Sequence, residues 1–335
     1  MPRSLVWLVF VGCSGDKVTD TPGETPETGT DDTDSPPVTT TTVPTPTGDP
    51  ATIELGGACP LTDRYGGFLV EVLDYYSSIA GNGADAVSPI AVLEPVGGAG
   101  ECQLWKRNNP FCDPPCGAGE TCDLTGECVP APVNQDLGAV TIGGLEQEVV
   151  MQPVVPGNTY FATQLPHPVF TADRLVELRT HGTTFGDELV LHGVGFDALT
   201  FAGDRTWLMK RDEALPVSWT PPTSALGRSR VELRISVDQH GLTPATIVCD
   251  FDDDGEAEVD PTTVTALMDL GVTGFPTGTL TRRTVDSAPF GDGCIDFELG
   301  SEVKADLSVD GYIPCDSPDD CPSGQTCDLL VGLCL

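Results

Sequence analysis

The sequence predicts an all-β protein: an antiparallel two-sheet sandwich, immunoglobulin-like or jelly-roll-like, with small disulfide-rich modules and one short helix. The first observation is a content of 38 Gly and 30 Pro in 335 residues, because neither residue suits the interior of a helix. The second is a series of short apolar runs, about 10–15 residues apart and separated by turn residues. Such spacing is typical of two packed antiparallel sheets.

The clearest strand covers residues 230–238. Every second residue from Val231 to Val237 is apolar, and charged or polar residues lie between them. This period of two predicts a strand with one buried face in a sandwich domain over residues 135–312. Further strands of that domain are predicted at 139–142, 148–154, 159–165, 175–180, 188–191, 206–209, 217–219, 245–249, 279–285 and 294–299.

The preceding residues, 51–111, predict a small β-rich domain of their own. Apolar runs alternate in it with turn residues, and a Gly-Asn-Gly triplet at 81–83 lies between two such runs. That triplet indicates the turn of a hairpin. The stretch 69–79 also fits an amphipathic helix, but the two glycines before it and its Val and Tyr content favour strand.

The one predicted helix begins after Asp260. Asp260 is a suitable N-cap, Pro261 fits the first helical position, and Gly271 follows the expected end. Elsewhere in the same domain, Trp207 and Trp219 are interpreted as core residues rather than as a platform for a ligand.

The N-terminus predicts export. Arg3 precedes a seven-residue apolar run, which is followed by Gly12 and Cys13; this pattern predicts a signal peptide over residues 1–12. The segment resembles a bacterial lipobox, which implies that Cys13 is acylated by fatty acid and becomes the mature N-terminus. By the same resemblance, Ser14 indicates the outer membrane or cell surface as the destination. An ordinary signal peptide is the alternative.

Residues 13–50 predict a stalk that follows the lipidated cysteine. From residue 14 to residue 50 there are 12 Thr, 7 Pro and 8 acidic residues, and no aromatic residue. Such a composition buries too little apolar surface to offset the entropy of ordering, so we expect disorder. A terminus without a role is the alternative interpretation.

Thirteen cysteines are present, and lipidation of Cys13 leaves an even number. In an exported chain that parity predicts that the remaining twelve form disulfides. They are Cys59, Cys102, Cys112, Cys116, Cys122, Cys128, Cys249, Cys294, Cys315, Cys321, Cys327 and Cys334. From closeness in sequence we expect Cys59 to pair with Cys102, and Cys249 with Cys294.

Eight of these cysteines fall into two similar modules, at 112–134 and 313–335. Both modules contain the phrase Gly-x-Thr-Cys-Asp-Leu, at 119–124 and 324–329. A unit of about 20 residues has no hydrophobic core, so two disulfides must hold each module. Zinc is the alternative, but neither module has the paired C-x2-C spacing or a nearby histidine.

The most acidic loop follows the predicted strand at 245–249. Asp250, Asp252 and Asp254 occupy the first, third and fifth places of a D-x-D-x-D-G pattern, which can converge oxygen ligands on Ca²⁺. The pattern lacks its final glutamate, because Pro261 stands there. The sequence therefore predicts a weak structural calcium site, and a solvated acidic turn is the alternative. Its candidate ligands are Asp250, Asp252, Asp254, Glu256 and Asp260.

The net charge and the absence of catalytic motifs exclude several classes of function. The chain has 51 acidic residues against 16 basic ones, which excludes a nucleic-acid binder because phosphates require clustered Lys and Arg. The four histidines are not spaced as metal ligands, and we interpret His181 and His192 as structural. No hydrolase, phosphate-binding or dinucleotide-binding motif occurs. We therefore expect no catalysis and, apart from calcium, no cofactor.

The layout of lipobox, Thr/Pro/Asp-rich stalk, β-rich body and C-x5-C-x5-C modules resembles uncharacterised envelope lipoproteins of myxobacteria-type bacteria. The resemblance implies export and display, and it supplies no site residues. We expect a lipid-anchored protein at the bacterial cell surface that serves adhesion or ligand binding, with a membrane and a surface glycan or protein as partners. The alternative is a secreted glycan hydrolase that acts through carboxylates.

Overall fold

The protein is all-β in the part that the structure describes. The computed structural model describes residues 43, 45–182, 188–224, 226–237, 245–272, 276–313, 315–329 and 333–334. The predicted signal peptide, Cys13 and nearly all of the predicted stalk lie outside these residues. In chain order the strands are β1 Arg64–Val72, β2 Ser77–Gly83, β3 Leu93–Ala99, β4 Cys102–Arg107, β5 Glu120–Cys122, β6 Cys128–Pro130, β7 Val140–Gly143, β8 Val149–Met151, β9 Tyr160–Ala162, β10 Leu175–Thr180, β11 Val190–Val194, β12 Thr206–Met209, β13 Leu215–Ser218, β14 Arg230–Ser236, β15 Ala245–Asp252, β16 Glu256–Val259, β17 Thr277–Phe290, β18 Gly293–Val309, β19 Cys327–Asp328 and β20 Leu333–Cys334.

One large sheet organises these strands. Its order is β3-β4-β15-β14-β17-β18-β1-β2-β9, and β12 also pairs with β18. A second sheet has the order β11-β10-β7-β8, and three further pairs are β13-β16, β5-β6 and β19-β20. The pairings β1-β18 and β12-β18 are parallel, so the large sheet is mixed rather than wholly antiparallel as predicted.

The long strands β17 and β18 connect two hydrophobic cores. The first core packs Trp219, Leu233 and Leu267 between one half of the large sheet and the helix, and the second packs Phe68 and Phe297 against the four-stranded sheet. Trp207 also lies in the first core, which confirms the interpretation of both tryptophans.

A buried polar seam separates the two cores along β17. Leu280 belongs to the first core and Phe290 to the second, and the inward-facing residues between them include Arg282, Thr284 and Asp286, all buried. A buried charge without hydrogen-bonding partners is costly. The seam is therefore stable only if residues around both cores supply hydrogen bonds to it.

The predicted helix is confirmed as α1, Pro261–Asp269. The Asp260 side chain accepts a hydrogen bond from the Thr262 backbone at 2.7 Å, and so caps the helix as expected. Gly271, with φ of 100°, follows the end of the helix, in the left-handed region that favours glycine. Among the described residues the other helical segments are the 3₁₀ turns Pro89–Ala91 and Pro318–Asp320.

Two expectations for residues 51–111 are corrected. Because β1 pairs with β18 and β4 with β15, this segment belongs to the large sheet instead of forming a separate domain. The Gly-Asn-Gly triplet at 81–83 lies inside β2, and the chain turns between Val72 and Ser77 instead. Gly81 serves close packing: a Cβ there would lie 2.2 Å from a ring carbon of Phe68.

All twelve cysteines of the body form disulfides, as predicted. Within the modules the first cysteine pairs with the third and the second with the fourth. The other two pairings were predicted wrongly, since Cys59 binds Cys294 and Cys102 binds Cys249. The sheet order explains this: β4 lies beside β15, so that Cys102 stands directly opposite Cys249, and closeness in sequence does not reflect that neighbourhood.

Candidate functional site

A cavity of about 650 Å³ opens on the outer face of the large sheet. Arg230, Asp250 and Arg283 form its floor, from the neighbouring strands β14, β15 and β17. They face outward because they alternate with buried residues along each strand. The walls come from Leu55, Gly57, Ala58, Pro222, residues 227–229, residues 252–254, Thr284 and Val285.

Charged pairs cover the cavity floor. Arg230 binds Asp250 through Nε and Asp252 through Nη1, both at 2.6 Å. Arg283 approaches the other oxygen of Asp250 at 3.3 Å and binds Glu232 at 2.7 Å. Asp250 therefore lies between two guanidinium groups, and N–H donors and carboxylate acceptors stand side by side on the floor.

The same outer face carries carboxyl groups that hold protons unusually well. Burial raises the pKa of Glu298 to about 7, and the nearby Glu232 carboxylate acts in the same direction against the lowering effect of Arg283. Burial also raises the pKa values of Glu71 and Glu302. Near pH 7 the Glu298 carboxyl therefore contributes less negative charge to this face than an exposed glutamate would.

Asp253, which lines the cavity, anchors the acidic loop. The Asp253 and Arg282 side chains are 4% and 1% exposed and form an ion pair at 2.6 Å. Trp219 Nε1 and Ser229 Oγ also donate to the Asp253 carboxylate, at 2.8 and 2.6 Å. Arg282 in turn donates to the Thr220 carbonyl at 2.6 Å. The loop is held to the polar seam by a fully bonded charge pair.

Sequence reasoning missed Asp253 and Arg282. One feature of the sequence could have indicated them: Arg282 lies on the same face of β17 as Leu280 and Thr284, two residues from each, and this face is buried. An inward arginine needs a buried carboxylate partner, and the adjacent acidic loop could have supplied it.

The five predicted calcium ligands have other bonding partners or stand apart. Asp250 and Asp252 bind Arg230, and Asp260 caps α1. Asp254 accepts a long contact from the Glu256 backbone at 3.4 Å. Across the described ranges, the groups of three possible ligands with atoms within 4.8 Å of one another are Cys112, Cys116, Cys122 and Cys315, Cys321, Cys327. Those cysteines are disulfide-bonded, and the calcium site stays a prediction.

The described histidines contact hydrogen-bonding neighbours. His181 Nε2 lies 3.3 Å from Thr141 Oγ1, and His192 lies 3.5 Å from Glu177. His167 Nδ1 lies 3.1 Å from Ser77 Oγ, and His240 is outside the described residues. These contacts agree with structural roles for His181 and His192.

Comparisons with known proteins leave the site to be interpreted from its own geometry. No family model matches the chain, and no curated protein is significantly similar to it. Within the described residues, every helix is too short or too polar to cross a bilayer.

Proposed function

We propose that the protein is a lipid-anchored display protein of the bacterial cell surface that binds a ligand, without catalysis, in the cavity above β14, β15 and β17. The lipobox-like segment ending at Cys13 and the Thr/Pro/Asp-rich stalk support anchoring and display. The six disulfides of the body support an oxidising location outside the cytoplasm.

The cavity floor is the observation that carries the ligand class, which we infer to be a glycan. A sugar hydroxyl both donates and accepts hydrogen bonds, and the Arg230–Asp250–Arg283 floor offers donors and acceptors together. Leu55, Pro222 and Val285 on the walls suit the C–H faces of a sugar ring. The net charge of −35 repels anionic glycans at long range, so a neutral glycan is favoured.

A glycan array probed with the purified, disulfide-intact protein tests this proposal. We expect binding to a limited set of neutral glycans, and weaker binding to their sulfated or carboxylated counterparts at low salt. The proposal fails if a correctly folded sample binds none of the arrayed glycans.

A second candidate function, glycan hydrolysis, is favoured by one observation. Arg283 Nη1 lies 2.7 Å from a Glu232 oxygen and 3.9 Å from a Glu298 oxygen. A carboxyl group whose pKa is raised to about 7, as burial raises that of Glu298, is suited to act as a general acid. Incubation of any bound glycan with the protein distinguishes the two functions, because only a hydrolase shortens it.

A further inference from the structure

The first long described stretch of chain precedes the first strand of the body. Residues 45–58, here called the strap, are exposed or half-buried and contain no strand. Cys59, 4% exposed, is the first buried residue in the described chain. The strap is therefore an outer layer, and none of its residues is a member of either hydrophobic core.

A small number of polar contacts hold the strap. Its backbone donates from Thr47 to Glu177 at 3.4 Å and from Gly56 to Asp286 at 2.7 Å. Arg228, from the loop before β14, donates to the carbonyls of Ala51 and Ile53. Because these contacts lie in succession along the strap, a pull on its N-terminal end loads them one after another.

The strap is also a wall of the cavity. Leu55, Gly57 and Ala58 line the cavity together with residues 227–229, from the loop that carries Arg228. Displacement of the strap removes these residues from the cavity and breaks the Arg228 contacts at the same time.

The disulfide between Cys59 and Cys294 defines where displacement must stop. It joins residues 235 positions apart, so that a pull on the N-terminus passes along the strap to Cys59 and crosses directly to Cys294. When the force is applied between the two termini, the chain between these cysteines is a covalently closed loop that the covalent path of the force bypasses. Cys59 also donates from its backbone to Asp296 at 2.7 Å, which fixes this point on the body.

We propose that the strap is a tension-release element: a pull on the N-terminus peels residues 45–58 off the body, opens one wall of the cavity, and stops at the Cys59–Cys294 disulfide. A surface protein on a stalk is loaded in this direction whenever its ligand is pulled away from the cell. The effect on ligand binding rests on the proposed function, but the peeling itself does not.

Stretching of single, oxidised full-length molecules between handles at the two termini tests the proposal without a ligand. The 14 strap residues extend by at most about 50 Å. We expect a low-force event within that limit, before any event of the body. An oxidised protein whose first event exceeds this length, or that shows no event before the body unfolds, would overturn the proposal.

Substitutions of the residues that hold the strap test whether the first extension event is the release of the strap. Arg228→Ala removes the two contacts to the carbonyls of Ala51 and Ile53, Asp286→Ala removes the contact to the Gly56 backbone, and each should lower the force of the first event. Asp204→Ala is the control, since Asp204 accepts a hydrogen bond from Thr206 within its own turn, outside the strap and its contacts, and should leave that force unchanged. The double variant Cys59→Ser with Cys294→Ser should let the first event run past the strap length. Equal forces in all single variants would contradict the assignment.

Discussion

The ion pair between Arg282 and Asp253 is the residue-scale feature on which the cavity depends. It joins β17 to the acidic loop, and both side chains are almost completely buried. Removal of one partner of such a pair leaves an uncompensated charge in a low-dielectric interior, which costs far more than a surface pair contributes.

The first prediction separates this anchor from its acidic neighbours. Asp253→Ala should lower the free energy of unfolding by about 3–5 kcal/mol, because Arg282 loses its charge partner. Asp254→Ala, one residue away and exposed, should change it by less than about 0.5 kcal/mol. Urea unfolding followed by tryptophan fluorescence measures both. Similar losses in the two variants would show that the loop responds as a whole.

The second prediction concerns Glu298 and pH. Burial raises its pKa from 4.5 to about 7 in the folded protein, so that the folded state binds the proton more tightly than the unfolded state does. The stability linked to this proton is complete below pH 4.5 and is lost as pH rises through about 7. Glu298→Gln should therefore match the wild type at pH 4.5 and exceed it at pH 8.

The expected difference at pH 8 is about 2 kcal/mol, since one pKa unit corresponds to about 1.36 kcal/mol and the side chain, 27% exposed, is partly screened. Thermal melts of both proteins at several pH values measure it. A wild type that gains stability relative to Glu298→Gln between pH 5 and pH 8 would contradict the sign.

At the scale of elements, local patterns predicted local structure. The alternation from Val231 to Val237 becomes β14 and its adjoining residues, and the Asp260-Pro261 start becomes α1. Both follow from interactions within a few residues. The glycines at 81–83 show the limit of such patterns. In β2, Gly81 packs against the ring of Phe68 and Gly83 against Ile295 and Leu137, and this packing requirement resembles a turn signal in sequence.

Local sequence patterns could not predict which strands, or which cysteines, far apart in the chain lie side by side. Cys102 meets Cys249 because β4 and β15 are neighbours, and the cavity floor exists because β14 lies between β15 and β17. Strand order is determined by the packing of the whole sheet, so residues that form the candidate site lie in segments far apart in the chain. The net charge and the even number of cysteines in the body, in contrast, can be counted from the sequence without knowledge of the fold.

The third prediction is calcium binding by the acidic loop. Extracellular modules of this ligand type bind at about 10⁻⁴–10⁻³ M, and a 100-fold excess of Ca²⁺ over such a constant adds about 2.7 kcal/mol of stability. The melting temperature should rise in calcium, and Asp252→Asn with Asp254→Asn should abolish the rise. A wild type that melts identically in calcium and in chelator identifies a solvated turn held by Arg230 and Asp253.

At the scale of the whole molecule, export and attachment determine how the body is presented. The fourth prediction is that Cys13→Ser moves the protein from the membrane fraction to the soluble fraction, because the acyl chain that holds it is lost. Fractionation of cells, with fatty-acid labelling of the wild type, measures this. A wild type that takes up no label, together with a variant that stays in the membrane fraction, would contradict lipid anchoring.

The central claim is that the cavity on the large sheet binds a neutral glycan, and a calorimetric titration tests it most directly. The glycan bound best on the array is titrated into the wild type, into Arg230→Met, which removes donors from the cavity floor, and into Arg205→Met. Arg205 is the control because it is exposed, pairs with Asp306 at 3.2 Å and is not among the residues that line the cavity. We predict at least a tenfold loss of affinity for Arg230→Met, about 1.4 kcal/mol, and no change for Arg205→Met. Equal affinity in all three proteins would contradict the account.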